Sequence, residues 1–168
     1  MKLTHYFYLL LVLPLAACGP NPPAPAAAQD DAPAVDLNEA ILGTWETVEV
    51  QTTEPTYLKQ DTTLYRHIME ADWLNVYGVM PARTVFTPDG KLRRTHRMRD
   101  GQVTDIKNGL WKVQSADSLL IIEPNVTLYY AYELDNNLLT LTGKVDYDQD
   151  GEEDDDYRAV LRLVSRTQ

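Results

Sequence analysis

The chain is poor in the residues on which several common chemistries depend. It has a single cysteine, so no disulfide can form within it. Its few histidines include His67 and His96, which fall on different segments, and its serines are Ser115, Ser118 and Ser165. No nucleophile elbow, phosphate loop or zinc signature is present. These absences point away from an enzyme. Basic residues are also scarce, with 15 Lys and Arg against 25 Asp and Glu, a formal net charge of -10. Binding to nucleic acid rests on Lys and Arg neutralising phosphates, and adhesion to anionic lipid rests on the same charges. Both are excluded as charge-driven functions. No apolar run is long enough for a spanning helix: residues 6–15 fall short of the roughly 20 residues that a bilayer core requires.

What the N-terminus does contain is a graded pattern. Lys2 and His5 precede the apolar run Tyr6-Phe7-Tyr8-Leu9-Leu10-Leu11-Val12-Leu13-Pro14-Leu15, and Ala16, Ala17 and Cys18 follow. This order reads as a secretory signal with a small-residue cleavage site. Leu15-Ala16-Ala17-Cys18 resembles the lipobox of bacterial lipoproteins. The resemblance implies cleavage before Cys18 and acylation of its thiol and new amine by chains such as palmitate. Each buried CH₂ would contribute about 0.8 kcal/mol to membrane attachment. Gly19 stands where an Asp is associated with inner-membrane retention. In a host with two membranes the resemblance therefore implies the outer one, on its periplasmic or surface face. Removing Lys2, the one Asp, Glu, Lys or Arg before Cys18, leaves the rest one charge more acidic.

Residues 19–36 are dominated by Pro and Ala, with no aromatic residue. Such a segment favours an extended, solvated chain, and at about 3.1 Å per residue it reaches on the order of 50 Å. The expected organisation is a signal peptide over 1–17, an acylated Cys18 with its tether over 18–36, and one domain over 37–168.

That domain reads as short strands divided by turn signals. The expected strands are Leu42–Gln51, Arg83–Thr87, Lys91–Met98, Val103–Val113, Leu119–Glu123, Val126–Leu134, Leu138–Val145 and Tyr157–Val164. Pro88-Asp89-Gly90, Arg99-Asp100-Gly101, Ala116-Asp117-Ser118 and Asp135-Asn136-Asn137 mark the turns between them. Tight turns join antiparallel neighbours. Consecutive strands in this number expose two edges unless they close. The expected fold is all-β, an eight-stranded up-and-down antiparallel barrel. A two-sheet sandwich is the rival, but it typically needs longer Greek-key crossovers. The one long connection, residues 52–82, is expected to hold a helical insert between the first and second strands. Its helix would run from Asp61 to about Asn75, with Leu64, Ile68, Ala71 and Leu74 on one stripe and Tyr65, Met69 and Trp73 beside it. It would flap over one barrel mouth.

Gly43-Thr44-Trp45 at the start of such a meander resembles the Gly-x-Trp signature of lipocalins and small bacterial lipocalin-like domains. Phe86-Thr87-Pro88-Asp89-Gly90-Lys91 and Gly109-Leu110-Trp111-Lys112-Val113 are similar to further stretches of that pattern. The resemblance implies that Trp45 plugs one barrel end beneath an arginine near the last strand. Arg162 and Arg166 are the candidates, since a guanidinium stacks favourably on an indole face. The helical insert is more similar to that of fatty-acid-binding proteins than to secreted lipocalins.

Three sets of residues stand out as candidate sites. Asp146, Asp148, Asp150 and Gly151 match positions one, three, five and six of a calcium loop, and Asp154 matches position nine. Position twelve is Tyr157, where a bidentate Glu belongs. Glu152 joins the cluster, which packs eight carboxylates into residues 146–156. The residues leave open a weak calcium site or a solvated acidic loop. On the Lys91–Met98 strand, alternation puts Leu92, Arg94, His96 and Met98 on one face. If that face is interior, Arg94 and His96 can hold a carboxylate or phosphate headgroup; otherwise they pair with acids on neighbouring strands. On the next-but-two strand, Val126, Leu128, Tyr130, Tyr132 and Leu134 face the interior together. Tyr130, Tyr132 and Trp111 then serve either as ligand contacts or as ordinary core. Two functions follow: an anchored envelope lipoprotein whose barrel binds a small apolar or amphipathic ligand, or a non-enzymatic interaction and assembly module with a filled barrel. The ligand, the protein partner and the oligomeric state are not legible.

Overall fold

The computed structural model describes residues 36–166. The expected signal peptide, Cys18 and almost all of the expected tether lie outside the described residues. One compact unit, Val35–Gln168, contains all the elements below.

The unit opens with a one-turn helix, α1 (Leu37–Ala40), capped by Asp36, whose carboxylate accepts the Asn38 backbone N–H at 3.0 Å. Nine strands follow: β1 (Gly43–Glu54), β2 (Leu64–Met69), β3 (Met80–Phe86), β4 (Lys91–Arg97), β5 (Val103–Ser115), β6 (Ser118–Glu123), β7 (Val126–Asp135), β8 (Leu138–Val145) and β9 (Asp155–Ser165). All pair antiparallel with their sheet neighbours, and β1 pairs with β9 to close the sheet. The fold is the expected all-β closed barrel, compatible with a lipocalin-like architecture.

The nine strands occupy eight barrel positions because β1 is long enough to be shared. Along one edge it pairs with β3 over Gly43–Glu46 and with β2 over Glu49–Glu54. Its other edge pairs with β9 from Thr44 to Thr53. A bulge between Thr47 and Glu49 leaves Val48 as an extra residue. It switches the inward parity from Trp45 and Thr47 to Val50, Thr52 and Glu54. The break between β2 and β3 falls level with that bulge.

The insert differs from the helix expected over Asp61–Asn75. Its Leu64–Met69 part is strand β2, and only Trp73–Tyr77 (α2) is α-helical, after a single 3-10 turn at Glu70–Asp72. A separation of four, as between Leu64 and Ile68, fits one helical turn and two strand repeats alike. The second half of β1 decides between them, because its backbone groups need a partner that no other strand supplies on that edge. Arg66, between Leu64 and Ile68, turns toward the same side as both. Its Nε donates at 2.8 Å to Glu54, whose side chain is fully buried.

Gly43 and Gly109 are two of the glycines that close backbone approach requires. A Cβ on Gly43, at φ +137, would lie 2.4 Å from the Ser165 carbonyl oxygen. This is why the residue two before Trp45 is glycine in a strand that β9 crosses so closely. A Cβ on Gly109 would lie 2.4 Å from the Ile122 oxygen and 3.5 Å from Cγ of Glu123. Between β7 and β8 the chain reverses on Asn136 and Asn137, both at positive φ, the conformation of the tightest hairpins.

Candidate functional site

The barrel is filled at one end and hollow toward the other. At the filled end Trp45 is fully buried, and its Nε1 donates at 2.7 Å to the Ile41 carbonyl just after α1. The Arg166 guanidinium lies 5.8 Å from the Trp45 ring centre and also donates to the Ala40 carbonyl. The arginine over the plug is thus Arg166. Arg162 is not part of it: its guanidinium points outward, 2.9 Å from Glu70 and 3.5 Å from Glu46. Register explains the choice, because Arg162 pairs with outward-facing Glu46, whereas Arg166 lies past the end of β9 and can fold across the barrel base. Phe86, Leu92, Leu119, Ile121 and Leu139 fill the space above Trp45.

Beyond them lies a cavity of about 410 Å³. Its floor and one side are aliphatic, from Val50, Leu141, Ala159 and Leu161. A second wall is aromatic: Trp73 and Tyr77 from α2, Tyr130 from β7, Tyr157 from β9, and Tyr147 from the acidic β8–β9 loop. The third is polar, with Thr84, Arg94, His96, Thr104 and Asp105. Three of the expected ligand contacts therefore meet in one space: Arg94, His96 and Tyr130.

Arg94 faces inward and carries its own counter-ion. Its Nη1 is 2.7 Å from Oε1 of Glu123, a residue only 7% exposed at the end of β6. Its Nε donates to Thr84 Oγ1 at 3.4 Å. The face is interior, and the counter-ion comes from β6, across the barrel wall from β4, and not from a neighbouring strand. An unpaired charge here would carry a large desolvation penalty; pairing offsets it. For His96, burial is the leading influence and lowers its pKa from 6.5, reinforced by the nearby Arg94 and Lys107 charges against the opposing pull of Asp105 and Glu123. Burial pushes the hydroxyls of Tyr130, Tyr147 and Tyr157 up from 10.0, so all three stay protonated at neutral pH.

Trp111 and Tyr132 do not reach the cavity. Trp111 belongs to the filled end, edge-on to Phe86 at 5.7 Å with its Nε1 donating to the Thr87 carbonyl at 3.1 Å. Tyr132 packs beside the β5–β6 turn, its hydroxyl donating to the Ala116 carbonyl at 2.6 Å. Alternation puts both side chains on the inner face, but the inner face at their height is occupied. The cavity-lining rings missed from sequence are Trp73, Tyr77, Tyr147 and Tyr157. Tyr147 lies within a run of acids and Tyr157 at the calcium loop's twelfth position, so the charge pattern masked both. Trp73 was legible only as part of an insert stripe.

The acidic loop folds on itself. Asp155 is 2% exposed and accepts the backbone N–H groups of Tyr147 at 2.6 Å and Asp148 at 3.2 Å. Asp148 accepts the N–H of Asp150, and Asp146 that of Gly151, each at 3.1 Å. The carboxylates that converge are Asp146, Asp148 and Asp155, with one oxygen from each within 4.8 Å of the others. Asp150, Glu152 and Asp154 stand outside that trio. Asp150 accepts the Glu152 N–H at 2.8 Å, and Asp154 accepts from Thr56 at 3.3 Å. Three oxygens are about half of the six to eight that calcium takes, and the twelfth-position residue, Tyr157, faces the cavity instead.

No protein-family model matches the chain, and no curated protein matches it in sequence.

Proposed function

We propose that the protein is a lipid-anchored protein of the bacterial cell envelope, held to the membrane through Cys18, whose barrel binds one small molecule with an apolar body. The observation that carries the reading is the cavity of about 410 Å³, walled by rings and aliphatic side chains and provided with a few convergent polar groups. Ligand sites share this build and this range of volume. The role is binding, not catalysis. The lipobox-like stretch ending at Cys18 supports the anchor, and the tether composition supports a domain held off the membrane.

The binding test uses the mature chain with Cys18→Ser, which takes no acyl group, titrated with the neutral fluorophore N-phenyl-1-naphthylamine. We expect saturable binding of one probe per chain. Ala159→Leu, which projects a larger side chain into the cavity, should remove it while the protein stays folded by circular dichroism. Folded wild-type protein that shows no saturable binding would sink the proposal. For the anchor, the unaltered precursor should fractionate with membranes and its Cys18→Ala variant should not.

A second reading, a module that works through its outer surface, draws on a specific feature. Leu110 and Ile122 are paired across β5 and β6, and Leu120 and Tyr129 across β6 and β7. Leu110, Ile122 and Tyr129 are exposed. On that reading Leu110→Lys would abolish the protein's associations and leave probe binding intact.

A further inference from the structure

Resting on the cavity reading above, we infer that the ligand is a flat, uncharged, conjugated ring system, and not a flexible acyl chain or an organic acid. Two observations converge on that class. The first is the continuity of the aromatic wall. Trp73 and Tyr77 are 4.9 Å apart between ring centres, and the Tyr77 and Tyr147 hydroxyls are hydrogen-bonded to each other. Tyr147 and Tyr157 are 6.1 Å apart at 31°, and Tyr157 and Tyr130 are 5.9 Å apart at 43°. The five rings come from α2, the β8–β9 loop, β9 and β7, so the wall is assembled from separate segments and is no accident of one strand's composition. Ring faces reward another flat ring with stacking or edge contacts beyond simple burial. A saturated chain gains burial alone.

The second observation is charge. Arg94 is the cation on the polar wall, and it is already matched by buried Glu123 at 2.7 Å. His96 is held toward its neutral form by burial. Asp105 also lines the cavity, and the chain as a whole carries -10. An anionic headgroup would share Arg94 with the Glu123 carboxylate, at close range to that charge and in a negative surrounding field. A cationic group would meet the Arg94 guanidinium. A neutral molecule meets neither obstacle.

The test compares four probes on the mature chain with Cys18→Ser. N-phenyl-1-naphthylamine and flavone are neutral and aromatic, and flavone is the flatter of the two. 1-Anilinonaphthalene-8-sulfonate has the rings of the first with an added anion, and cis-parinaric acid is an acyl chain with a carboxylate. The neutral aromatic probes should bind at least about tenfold more tightly than the two anions, and flavone at least as tightly as the amine. Tyr157→Leu should weaken them about two- to tenfold, the loss of one ring contact, and leave parinaric acid unchanged. Equal or tighter binding of parinaric acid or the sulfonate would overturn the ligand class while leaving the cavity as a binding site. No saturable binding of any probe would overturn the cavity reading itself.

Discussion

The two ends of this barrel are made by the same strands under the same alternation, yet one is solid and the other hollow. Following the inward side chains away from the base shows why. On β1 they run from Trp45 to Thr47 and Val50, on β3 from Phe86 to Thr84 and Ala82, and on β4 from Leu92 to Arg94 and His96. In each strand a large apolar residue gives way to a small or polar one. An eight-stranded barrel has an interior that side chains just fill, so exchanging Phe for Ala or Trp for Thr at successive inward positions leaves volume. The base is a packed core, and the upper half is a cavity whose walls carry hydrogen-bonding groups. The packed core and the cavity are therefore different halves of one element set, and on the proposed function stability and binding divide between them.

The largest test of that division is Trp45→Ala at the solid end. It removes the biggest fully buried side chain, its bond to Ile41 and the surface on which Arg166 rests. Loss of a buried Trp costs about 4 kcal/mol, measured by urea unfolding. The surviving folded fraction should still bind N-phenyl-1-naphthylamine. If binding and stability fall together in proportion, the halves are not separable. Next in size is Arg94→Met at the hollow end. It strands Glu123 in the interior and should cost about 3 kcal/mol. Adding Glu123→Leu should restore most of it, because a buried pair replaced by apolar groups is often neutral. A single variant as stable as the wild type would mean that Glu123 finds water or another donor.

How much of this was legible follows from what alternation encodes. It identifies which side chains point inward, and so brought out Arg94, His96 and Tyr130. It does not encode height along the barrel, and so it also placed Trp111 and Tyr132 among the ligand contacts although both sit where the interior is full. The strands themselves were legible because turn chemistry brackets them: Asn136-Asn137 ends β7, and β8 occupies Leu138–Val145 as expected. The insert was misread because spacing by four serves both periods, and a long-range fact, the unpaired edge of β1, made the choice. The aromatic wall was hidden for a related reason. Tyr77 and Tyr147 are 70 residues apart and meet only because the barrel brings the insert and the acidic loop together.

That meeting offers a finer test of the hollow end. The Tyr77–Tyr147 hydroxyl bridge ties α2 to the β8–β9 loop beside the cavity. Tyr77→Phe keeps the ring against Trp73 and removes only the bridge. Stability should drop by no more than about 1 kcal/mol. Stopped-flow association of N-phenyl-1-naphthylamine should speed up by as much as about fivefold, because a weaker tie raises the open fraction by that factor. An unchanged association rate would show that the ligand passes elsewhere.

The smallest expected shift concerns His96, which faces the cavity from β4 and is held below its ordinary pKa of 6.5 mainly by burial. A base whose folded pKa is lowered takes up its proton more readily in the unfolded chain. Its contribution to stability is therefore complete above 6.5 and is lost as the pH falls through that value toward the folded pKa. Many carboxylates titrate lower down, so the comparison must be with a variant. Between about pH 7.5 and 5.5 the wild type should lose more unfolding free energy than His96→Gln, which has no proton to gain. Parallel losses would mean that the imidazole charges freely in the folded barrel. The polar wall would then be wet and cationic at mildly acidic pH, and the hollow end would favour an anion there.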